Sequence, residues 1–180
     1  MIVIIGASAS GKTEIAKVLQ SKYNFHKCIT TTTRQERVNE VNGQDYHFVS
    51  KKVFETLINN NQLVEHAIYN DNYYGLNKAD LRPNGLVIME PNGANQLIKL
   101  LKDNVFVVFV NTDKVLRKAR MLNRGDKKLA INERLAHDDE IFKKSNLLKV
   151  DLEIMNNEQT IDMLAKSIND AYSLKNGSQQ

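Results

Sequence analysis

At 180 residues, 42% hydrophobic and 26% charged, the chain is long enough to bury one sizeable core, and a single domain is expected. Its 25 Lys and Arg against 21 Asp and Glu leave a formal charge of +4 with no block of like charge, so neither a nucleic-acid nor a membrane partner is expected. The single cysteine, Cys28, excludes an internal disulfide framework and reads as a small buried residue. With no apolar run near eighteen residues, a soluble cytoplasmic protein is expected.

In chain order, residues 2–5 (IVII) form a near-continuous apolar run of strand length, as expected for a strand covered on both faces. The glycine-bearing stretch GASASGKT (6–13) follows, and a helical pattern spans 12–21. Threonines 31–33 read as a strand end that leads to Arg34, Arg37 and a polar turn over 38–43. Strand-like segments at 45–50, 62–70 and 72–76 then surround a helix at 51–59. Further apolar strands are expected at 85–90 and 105–110, with a weaker one at 150–155. Helices are expected at 91–101, with proline in its first turn, at 112–122, opened by a Thr112 cap, at 128–142 and at 158–172. The polar tail 175–180 reads as frayed.

This alternation predicts an α/β fold with a parallel core sheet flanked by helices. The core would comprise 1–30, 85–118 and 139–175, with a subdomain of small strands plus one helix inserted at about 31–84. A second interruption at about 119–138, dense in Arg and Lys, reads as a mobile cap.

Gly6, Gly11, Lys12 and Thr13 have the spacing G-x-x-x-x-G-K-[ST], with a strand before them and a helix after them. That context defines a phosphate cradle. Glycines let backbone N–H groups turn inward, and the helix N-terminus adds partial positive charge. Ala9, Gly11, Lys12 and Thr13 would bind a nucleoside triphosphate, with Lys12 reaching the β- and γ-phosphates and the Thr13 hydroxyl holding Mg²⁺. Arg34 and Arg37 lie close enough in sequence to aim two guanidiniums at one further phosphate, whose oxygens their forks match. Tyr46 and Tyr74 supply phenolic donors.

The segment TTTTRQERVNEVNGQDYHFV (30–49), with LVEHA (63–67), NYYG (72–75), the NG at 92–93 and the glycine loop, resembles the guanylate kinase family. The resemblance runs from residue 2 to about 156 and implies a P-loop NTPase fold with a nucleoside-monophosphate-binding insertion and a helical lid. It implies phosphoryl transfer from ATP to GMP or dGMP by a monomer or homodimer, with Mg²⁺ as cofactor. Arg34, Arg37, Tyr46 and Tyr74 would hold the acceptor phosphate, while Thr30, Glu65 and Glu90 would face its base. A carboxylate such as Glu65 accepts from guanine N1–H and N2–H₂ together, and adenine presents no such pair of donors.

RMLNRGD (120–126) and INERL (131–135) resemble the family's lid, which makes Arg120, Arg124 and Arg134 the catalytic arginines, lets Gly125 act as a hinge and leaves Arg117 without a counterpart. Asn156 resembles the position that contacts the donor's adenine. The sequence also departs from the family pattern. Leu76 replaces a base-binding hydroxyl, Ile88 and Glu90 replace a D-x-D pair, and the lid is about one residue short between Arg124 and Arg134. Two alternatives therefore stand beside GMP kinase: a kinase with another nucleotide acceptor, and a nucleotide-binding module with weak or no turnover.

Overall fold

The computed structural model describes residues 1–38 and 40–177. The expected turn at 38–43 therefore has Asn39 outside the described residues, as is the end of the tail, 178–180. Five strands form the central sheet: β1 (Ile2–Ile5), β2 (His26–Lys27), β7 (Gly85–Ile88), β8 (Phe106–Asn111) and β9 (Leu152–Met155). Their order is β2-β7-β1-β8-β9, and every pairing is parallel. The pleat sends alternate residues to opposite faces. Ile2 and Ile4 join Ile15 and Leu19 of α1 (Lys12–Tyr23) and Leu164 and Ile168 of α6 (Ile161–Gly177) on one side. Val3 and Ile5 meet Leu97 and Ile98 of α3 (Pro91–Leu101) on the other. Each such side chain contributes about 1.5–3 kcal/mol on full burial, which explains why β1 is apolar throughout.

A second sheet, ordered β4-β3-β6-β5, contains β3 (Thr30–Thr32), β4 (His47–Phe48), β5 (Leu63–Tyr69) and β6 (Asn72–Asn77), with α2 (Lys51–Asn59) between β4 and β5. Strands β5 and β6 are antiparallel, and Tyr69 pairs with Asn72 across a two-residue turn. Both turn residues, Asn70 (φ 47°) and Asp71 (φ 59°), are left-handed, the conformation that suits a tight hairpin and that Asn and Asp tolerate. Near its start β5 carries a bulge. Leu63 pairs with Asn77 and Glu65 with Leu76, leaving Val64 as the extra residue. Helices α4 (Lys114–Asn123) and α5 (Lys128–Ile141) follow β8 and pack against each other.

Several local expectations are corrected. β2 was not expected as a strand, because it is only two residues long and takes its pairing from remote β7, and the strand end expected at 31–33 is β3, Thr30–Thr32. The strand expected at 85–90 stops at Ile88, where Glu90 turns to cap α3. Thr112 caps nothing. Its hydroxyl donates to the Asn111 carbonyl (2.8 Å) and the Ser10 carbonyl (3.2 Å), and α4 starts at Lys114. Only 47–48 of the strand expected at 45–50 pairs in the sheet. α6 runs to Gly177, into the expected frayed tail, where the Lys175 ammonium bonds the Asp151 carboxylate at 2.9 Å.

Candidate active site

The cleft between the two sheets is lined on one side by the glycine loop and on the other by residues of β3, β5 and β6 with Arg34, Arg37, Glu40 and Tyr46. The loop joins β1 to α1, and its sharp turn needs left-handed backbone at Ala9 (φ 61°) and Gly11 (φ 95°). Gly11 is also required sterically, because an added Cβ would collide with the Asn156 amide nitrogen. Lys12 Nζ donates to the carbonyls of Gly6 (2.6 Å) and Ala7 (2.8 Å). Desolvation of that ammonium pushes its pKa down to about 8, against the opposing pull of Asp138. Ala9, Lys12 and Thr13 line the cleft together with Thr30, Arg37, Tyr46, Ile88 and Arg124.

Across the cleft, the two arginines converge on one carboxylate. Glu40 Oε1 accepts from Arg34 Nη2 at 2.8 Å and lies 3.6 Å from Arg37 Nη1, while Oε2 accepts from the Arg37 backbone N–H at 2.9 Å. The Arg34 guanidinium also stacks over Tyr46 (5.3 Å) and Phe48 (5.5 Å). Tyr46 and Tyr74 stand edge to face at 6.2 Å, and burial raises the Tyr46 phenol to about 12. Burial, then Arg34 and Arg124, lower the Arg37 pKa. That crowding of like charge marks a place where an anion is favoured. Glu40 escaped the sequence reading, although it stands three residues beyond Arg37 as Arg37 does beyond Arg34.

Glu65 owes its aim to the bulge, a device that redirects a side chain at a sheet edge. Its carboxylate is only 4% exposed and accepts from the Leu76 backbone N–H at 2.9 Å. Burial, with a smaller contribution from Glu90, raises its pKa to about 8. Gly93, in the first turn of α3, makes room for it, since any Cβ there would strike Glu65 Oε2. Thr30 (5% exposed), Tyr74 and Glu90 line the same wall. Glu90 is engaged as the α3 cap, accepting from the backbone N–H groups of Asn92 (2.7 Å) and Gly93. Leu76 is fully buried in the core behind Glu65 and is not part of the cleft lining.

The lid arginines are spread out. Arg124 lines the cleft and forks onto Asp126 (2.9 and 2.5 Å). Although burial opposes ionisation, that fork holds the Asp126 carboxyl below its usual range. Arg120 donates to the carbonyls of Ala9 (3.3 Å) and Asn156 (3.1 Å). Arg134 lies 3.6 Å from Asp126 and outside the cleft lining. Asn156, the expected adenine contact, stands beside the glycine loop. It is 2% exposed, and its amide donates to the Ser10 carbonyl at 2.8 Å, buttressing the loop from outside the cleft. Tyr69, Phe142 and Ser8 line the cleft without having been singled out in the sequence.

Sheet order, glycine loop and helix together define a P-loop nucleotide-binding α/β protein. The family model described as guanylate kinase matches residues 1–171. Curated guanylate kinases from Lactiplantibacillus plantarum (39% identical over 76% of this chain and 70% of that one) and Lactobacillus johnsonii (35% over 77% and 74%) are similar to it. One from Ehrlichia ruminantium is 32% identical over 97% of this chain and 88% of that one. The fold is similar to the crystal structure of guanylate kinase from Anaplasma phagocytophilum, with a TM-score of 0.67 and 21% identity over 97% of this chain and 85% of that one. The chain belongs to the guanylate kinase family.

Proposed function

We infer that the chain transfers the γ-phosphoryl group of ATP to GMP or dGMP, giving ADP and GDP or dGDP. One observation carries the acceptor assignment: a buried carboxylate, Glu65, is aimed by a bulge into the cleft on the wall opposite Lys12 and Thr13. Arg34, Arg37, Tyr46 and Tyr74 would take the acceptor phosphate, the arginines exchanging Glu40 for its oxygens. Thr30 and Glu65 would read the base, with Glu90 holding the helix that carries Gly93 beside them. Glycine-loop amides from Ala9 to Thr13, with Lys12, would bind the donor's phosphates.

An anionic oxygen of the acceptor phosphate attacks the γ-phosphorus in line, and the bond from that phosphorus to the bridging oxygen of ADP breaks. The attacking oxygen carries no proton, so the step needs no general base. Arg124 faces the cleft and stabilises charge spread over the equatorial oxygens, with Arg120 and Arg134 brought to it by movement of the lid. Mg²⁺ fits the donor set in one respect, the Thr13 hydroxyl at the start of α1. Among the described residues no cluster of three or more His, Cys, Asp or Glu would hold a metal. That suits an ion bound mainly through phosphate oxygens and water. When bound it would neutralise the β- and γ-phosphates.

No helix among the described residues is long and apolar enough to cross a membrane, and with the lone buried thiol of Cys28 this supports a cytoplasmic setting. The test is ADP release from ATP and Mg²⁺ against a panel of ribo- and deoxynucleoside monophosphates. GMP and dGMP should turn over fastest. A faster AMP or pyrimidine substrate would overturn the acceptor, and no turnover with any would overturn the transfer.

A further inference from the structure

One charged group stands at the junction of the glycine loop, β5, α4 and α5 and has no part in the transfer described above. Asp138, near the end of α5, is fully buried. Its Oδ2 accepts from the Ser8 backbone N–H in the glycine loop at 2.7 Å, and its Oδ1 accepts from the Tyr69 hydroxyl at the end of β5. The triangle closes through Ser8 Oγ and Tyr69 Oη, 3.2 Å apart. From α4, Arg117 Nη1 approaches Asp138 to 3.7 Å and is itself buried without a hydrogen-bond partner among the described residues. The rest of Arg117 is spoken for: Nη2 donates to Asp139 (2.7 Å) and Nε to the Thr112 carbonyl (3.2 Å).

A buried carboxylate with one partly satisfied cation is a costly arrangement, and losing any one partner leaves the others unsatisfied. Such a cluster therefore fixes the relative positions of the elements that supply it. Those elements are the glycine loop, which the donor's phosphates occupy, and β5, which carries Glu65 four residues before Tyr69. Tyr69 and Ser8 both line the cleft, so the joint lies in its wall, where either nucleotide bears on it.

We propose that Tyr69 and Asp138 are positioning residues that couple the donor loop to the acceptor strand, so that each nucleotide tightens the binding of the other. Ordering the loop against Asp138 draws Tyr69 and hence β5 into register, and an acceptor held by Glu65 does the same in reverse. Coupling of this kind is reciprocal and typically amounts to about 5- to 150-fold in affinity. The inference rests on the donor and acceptor assignments above.

The test is titration calorimetry of GMP into the full chain, alone and with Mg²⁺ and a saturating non-hydrolysable ATP analogue. Wild type should bind GMP at least about fivefold tighter with the analogue present. Tyr69→Phe removes one hydroxyl and preserves the ring. It should bring that factor to within twofold of unity while leaving the Kd for GMP alone within about threefold of wild type. Asp138→Asn should do the same, and if it fails to fold, Tyr69→Phe carries the test. A wild-type factor near one, or a factor kept in Tyr69→Phe, overturns the coupling alone. Failure of wild type to bind GMP at all overturns the acceptor assignment and the coupling with it.

Discussion

Replacing Gly93 by alanine tests how Glu65 is placed. The added Cβ would overlap Glu65 Oε2 and come within 3.2 Å of both Glu65 Cδ and Glu90 Oε1. α3 cannot yield easily, because Ala94 and Leu97 on the same helix are fully buried against the central sheet. The Glu65 carboxylate must therefore swing away, which strains its bond from the Leu76 N–H and misaligns it for a pair of donors on guanine. Losing one charge-assisted hydrogen bond costs about 1.5–3 kcal/mol, or roughly 10- to 150-fold. Helix propensity acts in the opposite direction, since alanine favours a helix by up to about 1 kcal/mol over glycine. Gly93→Ala should accordingly keep or nearly keep its thermal stability while KM for GMP rises at least about tenfold and KM for ATP changes little. Coupled ADP-release kinetics with each nucleotide varied in turn, together with thermal unfolding, would measure this. An unchanged KM for GMP would show that the base does not sit against Glu65.

Three further outcomes are expected. With the Glu65 carboxyl raised to about 8, it is mostly protonated at pH 7 and must lose its proton to accept from guanine. The affinity for GMP therefore improves as pH rises, about fivefold between pH 7 and 8, and Glu65→Gln should flatten that slope while raising KM by at least about tenfold; a slope that survives the substitution would assign it to another group. Arg34→Lys keeps the charge but loses the planar guanidinium, which donates to Glu40 through Nη2 and to the Gln35 carbonyl through Nη1 and stacks on Tyr46, so KM for GMP should rise nearly as far as in Arg34→Ala, and full rescue by lysine would contradict bidentate recognition of the phosphate. Leu76→Ala should cost about 2–5 kcal/mol in denaturant unfolding with KM for GMP within a few-fold of wild type, whereas a large KM effect at unchanged stability would put the side chain in the site instead of the core.

The glycine loop was legible because its chemistry is local: Gly6, Gly11, Lys12 and Thr13 are adjacent in sequence, and a strand and a helix directly flank them. The spacing of Arg34 and Arg37 suggested a shared anion and Tyr46 and Tyr74 suggested donors, whereas Glu65 was singled out only through resemblance, for alone it reads as an ordinary strand residue. The strands with apolar runs were foreseen and the threonines were read as a strand end, while β2 was not foreseen, because its two residues owe their strand to β7. Thr112 was read locally as a helix cap and Asn156 through resemblance as an adenine contact, and both donate to the Ser10 carbonyl of the loop. Glu90 was read as a base contact, and its carboxylate caps α3.

By itself, then, the sequence determined the glycine-loop motif, the α/β alternation and, through the order and spacing of its motifs, the family. Burial and aim were decided only by tertiary structure. Whether Glu65 faces the cleft or open solvent depends on a one-residue bulge and on Gly93, more than twenty residues away in sequence. Whether Asp138 is a surface acid or a fully desolvated joint depends on Ser8, Tyr69 and Arg117, which arrive from three other elements. Hydrophobic period and turn chemistry act over a few residues and can be read along the chain. The desolvation of a charge is set by everything packed around it, and those neighbours meet only when the chain has folded.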